Sequence, residues 1–226
     1  MKHKYQKFNS LQGIINTYGI DVELANRLSI LESLKVVLLI DDSTTMNEKL
    51  SNHTTRWEHL RLMVYIIFNI VIVNQPLDIY FLNRTEIKAV NNFDKINRIF
   101  NIKPSGENTI NKTLNKIIKT HEHQNVLIIV ALNEPPINTN EYIKILQDRN
   151  SESCHITFLA TSDQTNLNYL EKIQIDNISY HAHFLIEEKS KNQSYSLAEN
   201  IFNALLETFP KQKDTKPNNN FKCSFL

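Results

Sequence analysis

With 226 residues, 41% of them hydrophobic and 22% charged, the chain has the composition of one globular domain with short additions at its ends. Twenty-five basic residues against twenty-four acidic ones leave a net charge of +1, which gives no general drive towards nucleic acid or a membrane surface. The three glycines, Gly13, Gly19 and Gly106, are too few for a glycine-rich loop of the dinucleotide or Walker type. Cys154 and Cys223 are the only cysteines and no secretory pattern opens the sequence, so a reducing, cytoplasmic setting is expected.

Residues 1–33 carry two helical patterns and read as an N-terminal helical extension. Phe8, Leu11, Ile14, Ile15 and Tyr18 form the first, Leu24, Leu28 and Leu31 the second, and Gly19 separates them. An apolar strand, Lys35 to Ile40, then stops abruptly at Asp41. Thr55 and Glu58 have the spacing of a capping box, opening a helix that runs to about Asn74 with Trp57 in its first turn. Its apolar stretch, Leu62 to Val73, is too short to cross a bilayer and reads as core.

Two short strands follow, Leu77 to Asn83 and Glu86 to Val90, in a plausible hairpin punctuated by Pro76, Asn83 and Arg84. Helices are expected at Asn92 to Phe100 and Ile110 to Thr120, and Asn125 to Leu132 is apolar enough for a central strand covered on both faces. The alternation continues with a helix over Asn140 to Asp148 and a strand over His155 to Ala160. A helix over Leu167 to Ile175, a strand over Tyr180 to Ile186 and a helix over Leu197 to Phe209 complete it.

Strands alternating with helices predict a doubly wound, mostly parallel α/β sheet with helices on both faces, spanning residues 34–210. Residues 211–226 read as a flexible basic tail. Such sheets bind ligands at the carboxyl ends of their strands, and Asp41 lies at one of them.

The stretch KVVLLIDDSTTM delivers Asp41, Ser43 and Thr45 to that end as hard oxygen ligands suited to Mg²⁺. With TRWEHL, LDIYFLNR and the flank ELANRLSILESL, it resembles the von Willebrand factor A (vWA) domains of intracellular proteins over about residues 20–185. That resemblance implies a metal-ion-dependent adhesion site. Asp41, Ser43 and Thr45 supply its first loop, and Thr109, or Asn108 by ungapped matching, supplies the second. The third loop offers Asn133 where the family has Asp, with Glu134 as its alternate, and the lost carboxylate should weaken the hold on Mg²⁺ or its substitute Mn²⁺. The implied function is a non-catalytic module that binds a protein partner through an Asp or Glu completing the metal's coordination.

Other readings stand beside it. Asp41, Ser43 and Thr45 also fit an ordinary polar turn. They approach the Asp-x-Asp-x-Thr of haloacid-dehalogenase phosphatases too, with Thr161 and Lys172 as later phosphate-binding groups, although Ser43 stands where that chemistry needs a general acid. His155, His181 and His183 make zinc conceivable, while His121 and His123 sit where a helix dipole would favour their charge. Cys223-Ser224-Phe225-Leu226 has the C-a-a-X form, so prenylation at Cys223 with the nearby lysines would tether the protein to a membrane.

Overall fold

The computed structural model describes residues 12–50, 53–132, 138–160, 178–182 and 193–209. Six strands form one sheet: β1 (Lys35–Ile40), β2 (Leu77–Phe81), β3 (Ile87–Val90), β4 (Val126–Leu132), β5 (Cys154–Ala160) and β6 (Ile178–Ala182). Their order is β3-β2-β1-β4-β5-β6. All pairs are parallel except β2 with β3, the hairpin. The predicted doubly wound α/β class is therefore the observed one.

The helices are α1 (12–18), α2 (Val22–Arg27), α3 (Arg56–Ile72), α4 (Phe93–Phe100), α5 (Ile110–Thr120), α6 (Thr139–Asp148) and α7 (Gln193–Glu207). Alternation along β1 divides the core. Val36, Leu38 and Ile40 face the layer that includes α3, α4, α7 and the N-terminal helices, whereas Val37 and Leu39 face α5 and α6. No helix among the described residues is long and apolar enough to cross a membrane. The helix expected at Leu167 to Ile175 and the tail beyond residue 209 lie outside the described residues.

Local chemistry explains where the main elements start. The Thr55 hydroxyl accepts from the Glu58 N–H at 3.1 Å and the Glu58 carboxylate accepts from the Thr55 N–H at 2.7 Å, completing the expected capping box. A Thr55→Ala variant should lose about 1 kcal/mol in denaturant unfolding, since the Glu58 N–H of the first turn loses its acceptor. Trp57 packs on Phe100 with ring centroids 4.5 Å apart, and its indole N–H donates to the Phe100 carbonyl at 3.3 Å. It is a packing residue, as the sequence suggests.

The hairpin is anchored from below. Asp78 on β2 accepts from the Ala89 N–H at 2.8 Å and pairs with Lys35 at 2.8 Å. Burial pushes the Asp78 carboxyl up, but the Ala89 N–H and the Lys35 ammonium outweigh it and hold the group below its usual value. The anchor accompanies an irregularity in the β2–β3 register, where Ala89 takes φ of 51°.

Candidate functional site

β1 stands between β2 and β4, so the chain reverses its direction of winding there. Such a switch point leaves a crevice at the strands' carboxyl ends. Asp41 opens the loop at that point, and its N–H donates to the Ala131 carbonyl on β4 at 2.9 Å. Its carboxylate turns back to accept from the Ser43 N–H at 2.9 Å. The Ser43 and Thr45 hydroxyls lie 3.0 Å apart, with Thr45 in a 3-10 turn over Thr44–Asn47. Three of the expected ligands thus belong to one small polar loop, with Asp41 and Ser43 buried.

Thr44, between them, ties this loop to its neighbour. Its N–H and hydroxyl both donate to the Gly106 carbonyl at 3.0 Å, and the hydroxyl accepts from the Gly106 N–H at 3.1 Å. Gly106 has φ of 99°, and a Cβ there would come within 2.4 Å of the Asn83 side-chain oxygen. Only glycine accommodates both conditions. The Ser105 N–H adds a bond to the Asp42 carbonyl at 2.8 Å.

Asp42 performs a different task from Asp41. It is 1% exposed, and its carboxylate accepts from the Asn83 N–H at 2.9 Å and the Arg84 Nε–H at 2.8 Å. Arg84 lies over the Phe81 and Trp57 rings, 4.3 and 5.3 Å from their centroids, and donates to the Ile99 carbonyl at 3.2 Å. The pair joins the loops after β1 and β2. In the sequence Asn83 and Arg84 read only as turn punctuation, because residues 42 apart reveal their contact only once the strands are ordered.

The Thr109 hydroxyl donates to the Leu82 carbonyl at 2.6 Å, and Asn108 accepts from the Ile110 N–H at 3.2 Å. Asn133, Glu134 and Cys223 lie outside the described residues, as do Thr161, Lys172 and His183. Only the backbone of His181 is described. Among the described residues no three His, Cys, Asp or Glu side chains are grouped to hold a metal. His155 instead rests against Phe209, centroids 4.9 Å apart, and burial lowers its affinity for a proton.

His121 corrects a further expectation. It is buried at the end of α5, 3.4 Å from the Tyr80 hydroxyl and 3.2 Å from Gln124, and burial lowers its pKa. A neutral ring does not serve the helix dipole, while His123 is exposed beside Glu122.

A cleft of about 650 Å³ opens between the β2–β3 hairpin and α5, lined by Tyr80, Arg84, Glu86, Thr109, Lys112 and Lys116 among others. Because Thr109 bonds to Leu82, the N-cap of α5 makes no side-chain bond to its own helix, and no acidic residue occupies the first turn. A helix start in that state keeps its partial positive charge for an anion, although Asn108 already takes the Ile110 N–H. Lys112 adds a full charge on the same helix, and Lys116 a second that is paired with Glu86. Sequence periodicity identifies α5 but carries no sign that its polar face borders a cleft.

A family model described as guanylyl transferase CofC-like matches residues 34–212. No curated protein matches the chain. Among solved structures, similarity is found to the SpRpn10 VWA domain, at 14% identity over 72% of this chain and 92% of that one, with a TM-score of 0.55. The manganese-loaded Plasmodium vivax TRAP protein is similar at 13% identity over 77% and 74% of the two chains, TM-score 0.50. Proximal thread matrix protein 1 from the mussel byssus gives 10% identity over 78% and 48%, TM-score 0.50.

Likeness at such identity concerns the fold alone. The family match overturns the assignment to the vWA family, and with it the non-catalytic interaction module, the adhesion-site description and the expectation of no enzymatic activity. The phosphatase alternative falls as well. The physical source of the error is plain: an apolar strand that stops at Asp and hydroxyl residues is what any doubly wound sheet needs at its ligand-binding edge, whatever the chemistry performed there.

Proposed function

We propose, from the premise that this chain belongs to the guanylyl transferase CofC-like family, that it transfers a guanylyl group from GTP at the carboxyl edge of its sheet. In such a reaction an acceptor oxygen forms a bond to the α-phosphorus of GTP as the bond to the β-phosphate oxygen breaks, and pyrophosphate leaves. Positioning and neutralisation of phosphate charge are the protein's main contributions to this kind of chemistry.

The observation that carries the reading is the open N-terminus of α5 with Lys112 beside it in the cleft. The helix start and the lysine would hold phosphate oxygens. Arg84 is committed to Asp42 and keeps the loops in register for them. Mg²⁺ arriving on the triphosphate needs only one or two protein carboxylates, because phosphate and water oxygens complete its shell. One carboxylate and two hydroxyls at Asp41, Ser43 and Thr45 fit that requirement better than they fit a cation held by protein alone. A cytoplasmic setting accords with this reading and with the free thiol of Cys154, which burial pushes up to about 11.

Calorimetric titration with GTP and Mg²⁺, together with an assay for pyrophosphate release, tests the reading. The unaltered chain should bind Mg·GTP, Lys112→Glu should weaken binding by about tenfold or more, equivalent to about 1.4 kcal/mol, and Asp41→Ala should remove the dependence of binding on Mg²⁺. Equal GTP affinity in the unaltered chain and Lys112→Glu would refute it.

A further inference from the structure

We propose that Glu86, braced by Lys116, reads the guanine base at the far end of the same cleft. The inference rests on the guanylyl-transfer reading and adds the group that determines its nucleotide. Glu86 stands immediately before β3 and Lys116 two turns into α5, and their charged groups meet at 3.0 Å across the cleft that both line. The Glu86 side chain is 29% exposed, open enough to be reached by a ligand and covered enough to be held.

Distance along the helix favours this assignment. Lys116 lies four residues beyond Lys112, about 6 Å along the axis at the rise of an α-helix, and about 9 Å beyond Ile110 in the first turn. A nucleotide with its phosphates on the start of α5 would place its base near Lys116 and Glu86. Tyr80, buried beneath that part of the cleft with Lys88 and Lys116 3.9 and 5.9 Å from its ring centroid, forms its floor.

The chemistry of the pair suits guanine and opposes adenine. Guanine presents an N1–H and a 2-amino group side by side, which the two oxygens of a carboxylate can accept together, and its O6 accepts from an ammonium. Adenine presents an unprotonated N1 there, so the carboxylate would face a lone pair and leave an acceptor unsatisfied. The hydrogen bond from Lys116 is the largest influence holding Glu86 below its usual carboxylate range, which keeps it an acceptor at neutral pH.

The experiment compares binding of GTP, ITP, ATP and XTP, each with Mg²⁺, to the unaltered chain and to Glu86→Gln. GTP should bind the unaltered chain about tenfold or more tightly than ITP, which lacks only the 2-amino group, and than ATP, as expected of a site built to hydrogen-bond its substrate. In Glu86→Gln the GTP and ITP affinities should converge and XTP should gain, because the introduced amide can donate to the xanthine C2 carbonyl.

GTP and ITP binding the unaltered chain equally, or an unchanged GTP-to-ITP ratio in Glu86→Gln, would overturn the assignment while the guanylyl-transfer reading stands. Failure of the unaltered chain to bind GTP at all would overturn both. The GTP-to-ITP comparison in the unaltered chain needs no variant, so poor folding of Glu86→Gln cannot obscure it.

Discussion

Replacing Asp42 with alanine should lower the free energy of unfolding by about 3 kcal/mol, the low end of what breaking a buried ion pair costs when one partner remains. The carboxylate is 1% exposed and accepts two well-directed bonds, from the Asn83 N–H and the Arg84 Nε–H. Without it the Arg84 cation remains stacked on Phe81 and Trp57, where its Nη2 already has no hydrogen-bond partner among the described residues. Arg84 keeps 23% side-chain exposure, so water would recover part of the loss.

Urea unfolding followed through Trp57 fluorescence measures this directly, with a lower midpoint and an unchanged slope expected. Arg84→Ala should cost at least as much, because it leaves the 1% exposed Asp42 carboxylate without its counter-charge and removes the stacking on Phe81 and Trp57. The double variant should fall short of the sum of the two, as contacting residues do. A loss under about 0.5 kcal/mol in Asp42→Ala, the range of ordinary surface changes, would show that the pair does not hold the loops together.

Acid sensitivity centred on His59 is the second large effect. His59 on α3 is 4% exposed, neither ring nitrogen has a hydrogen-bond partner among the described residues, and burial lowers its pKa from 6.5 to about 4. Between those values the unfolded chain binds a proton that the folded chain refuses. The stability conferred by the neutral ring is complete above pH 6.5 and is lost as pH falls towards 4. The loss reaches about 3 kcal/mol at the lower end, because each tenfold fall in proton affinity is equivalent to about 1.4 kcal/mol.

His59→Leu removes this contribution and the two unpartnered nitrogens together, so it should also gain about 1 kcal/mol at neutral pH. Denaturant unfolding of both proteins from pH 7 to 4 provides the check. The advantage of His59→Leu should widen steadily as the pH falls. Parallel curves would mean that the imidazole is protonated or hydrogen-bonded in the fold.

These two residues show where sequence reasoning reaches its limit. The apolar run of β1 ending at Asp41 is legible because strand burial and its polar stop are written within one stretch. The capping box at Thr55 is legible for the same reason, its two partners lying three residues apart. His59, by contrast, is one more polar residue on a mostly apolar helix. Its burial depends on helices that reach it only through the fold.

The candidate site divides in the same way. Asp41, Ser43 and Thr45 can be singled out because they share one loop, and their chemistry as hard oxygen donors follows from residue type alone. Thr109 cannot be placed from sequence: its hydroxyl bonds to Leu82, 27 residues earlier, and that choice leaves the start of α5 open. The cleft and its lysines require the hairpin and α5 to stand side by side, and no local pattern encodes that arrangement.

Sequence by itself determined the α/β class, the main elements and the polar loop at the end of the first strand, since periodicity, caps and residue chemistry act over a few neighbouring residues. Tertiary structure decided which loops face that one, because strand order and register bring Asp42 to Arg84 and Glu86 to Lys116. It also opened the cleft beside α5 where we propose that nucleotide phosphates are met. The field of a helix start and two lysines becomes a site only when packing opens a cleft in front of it.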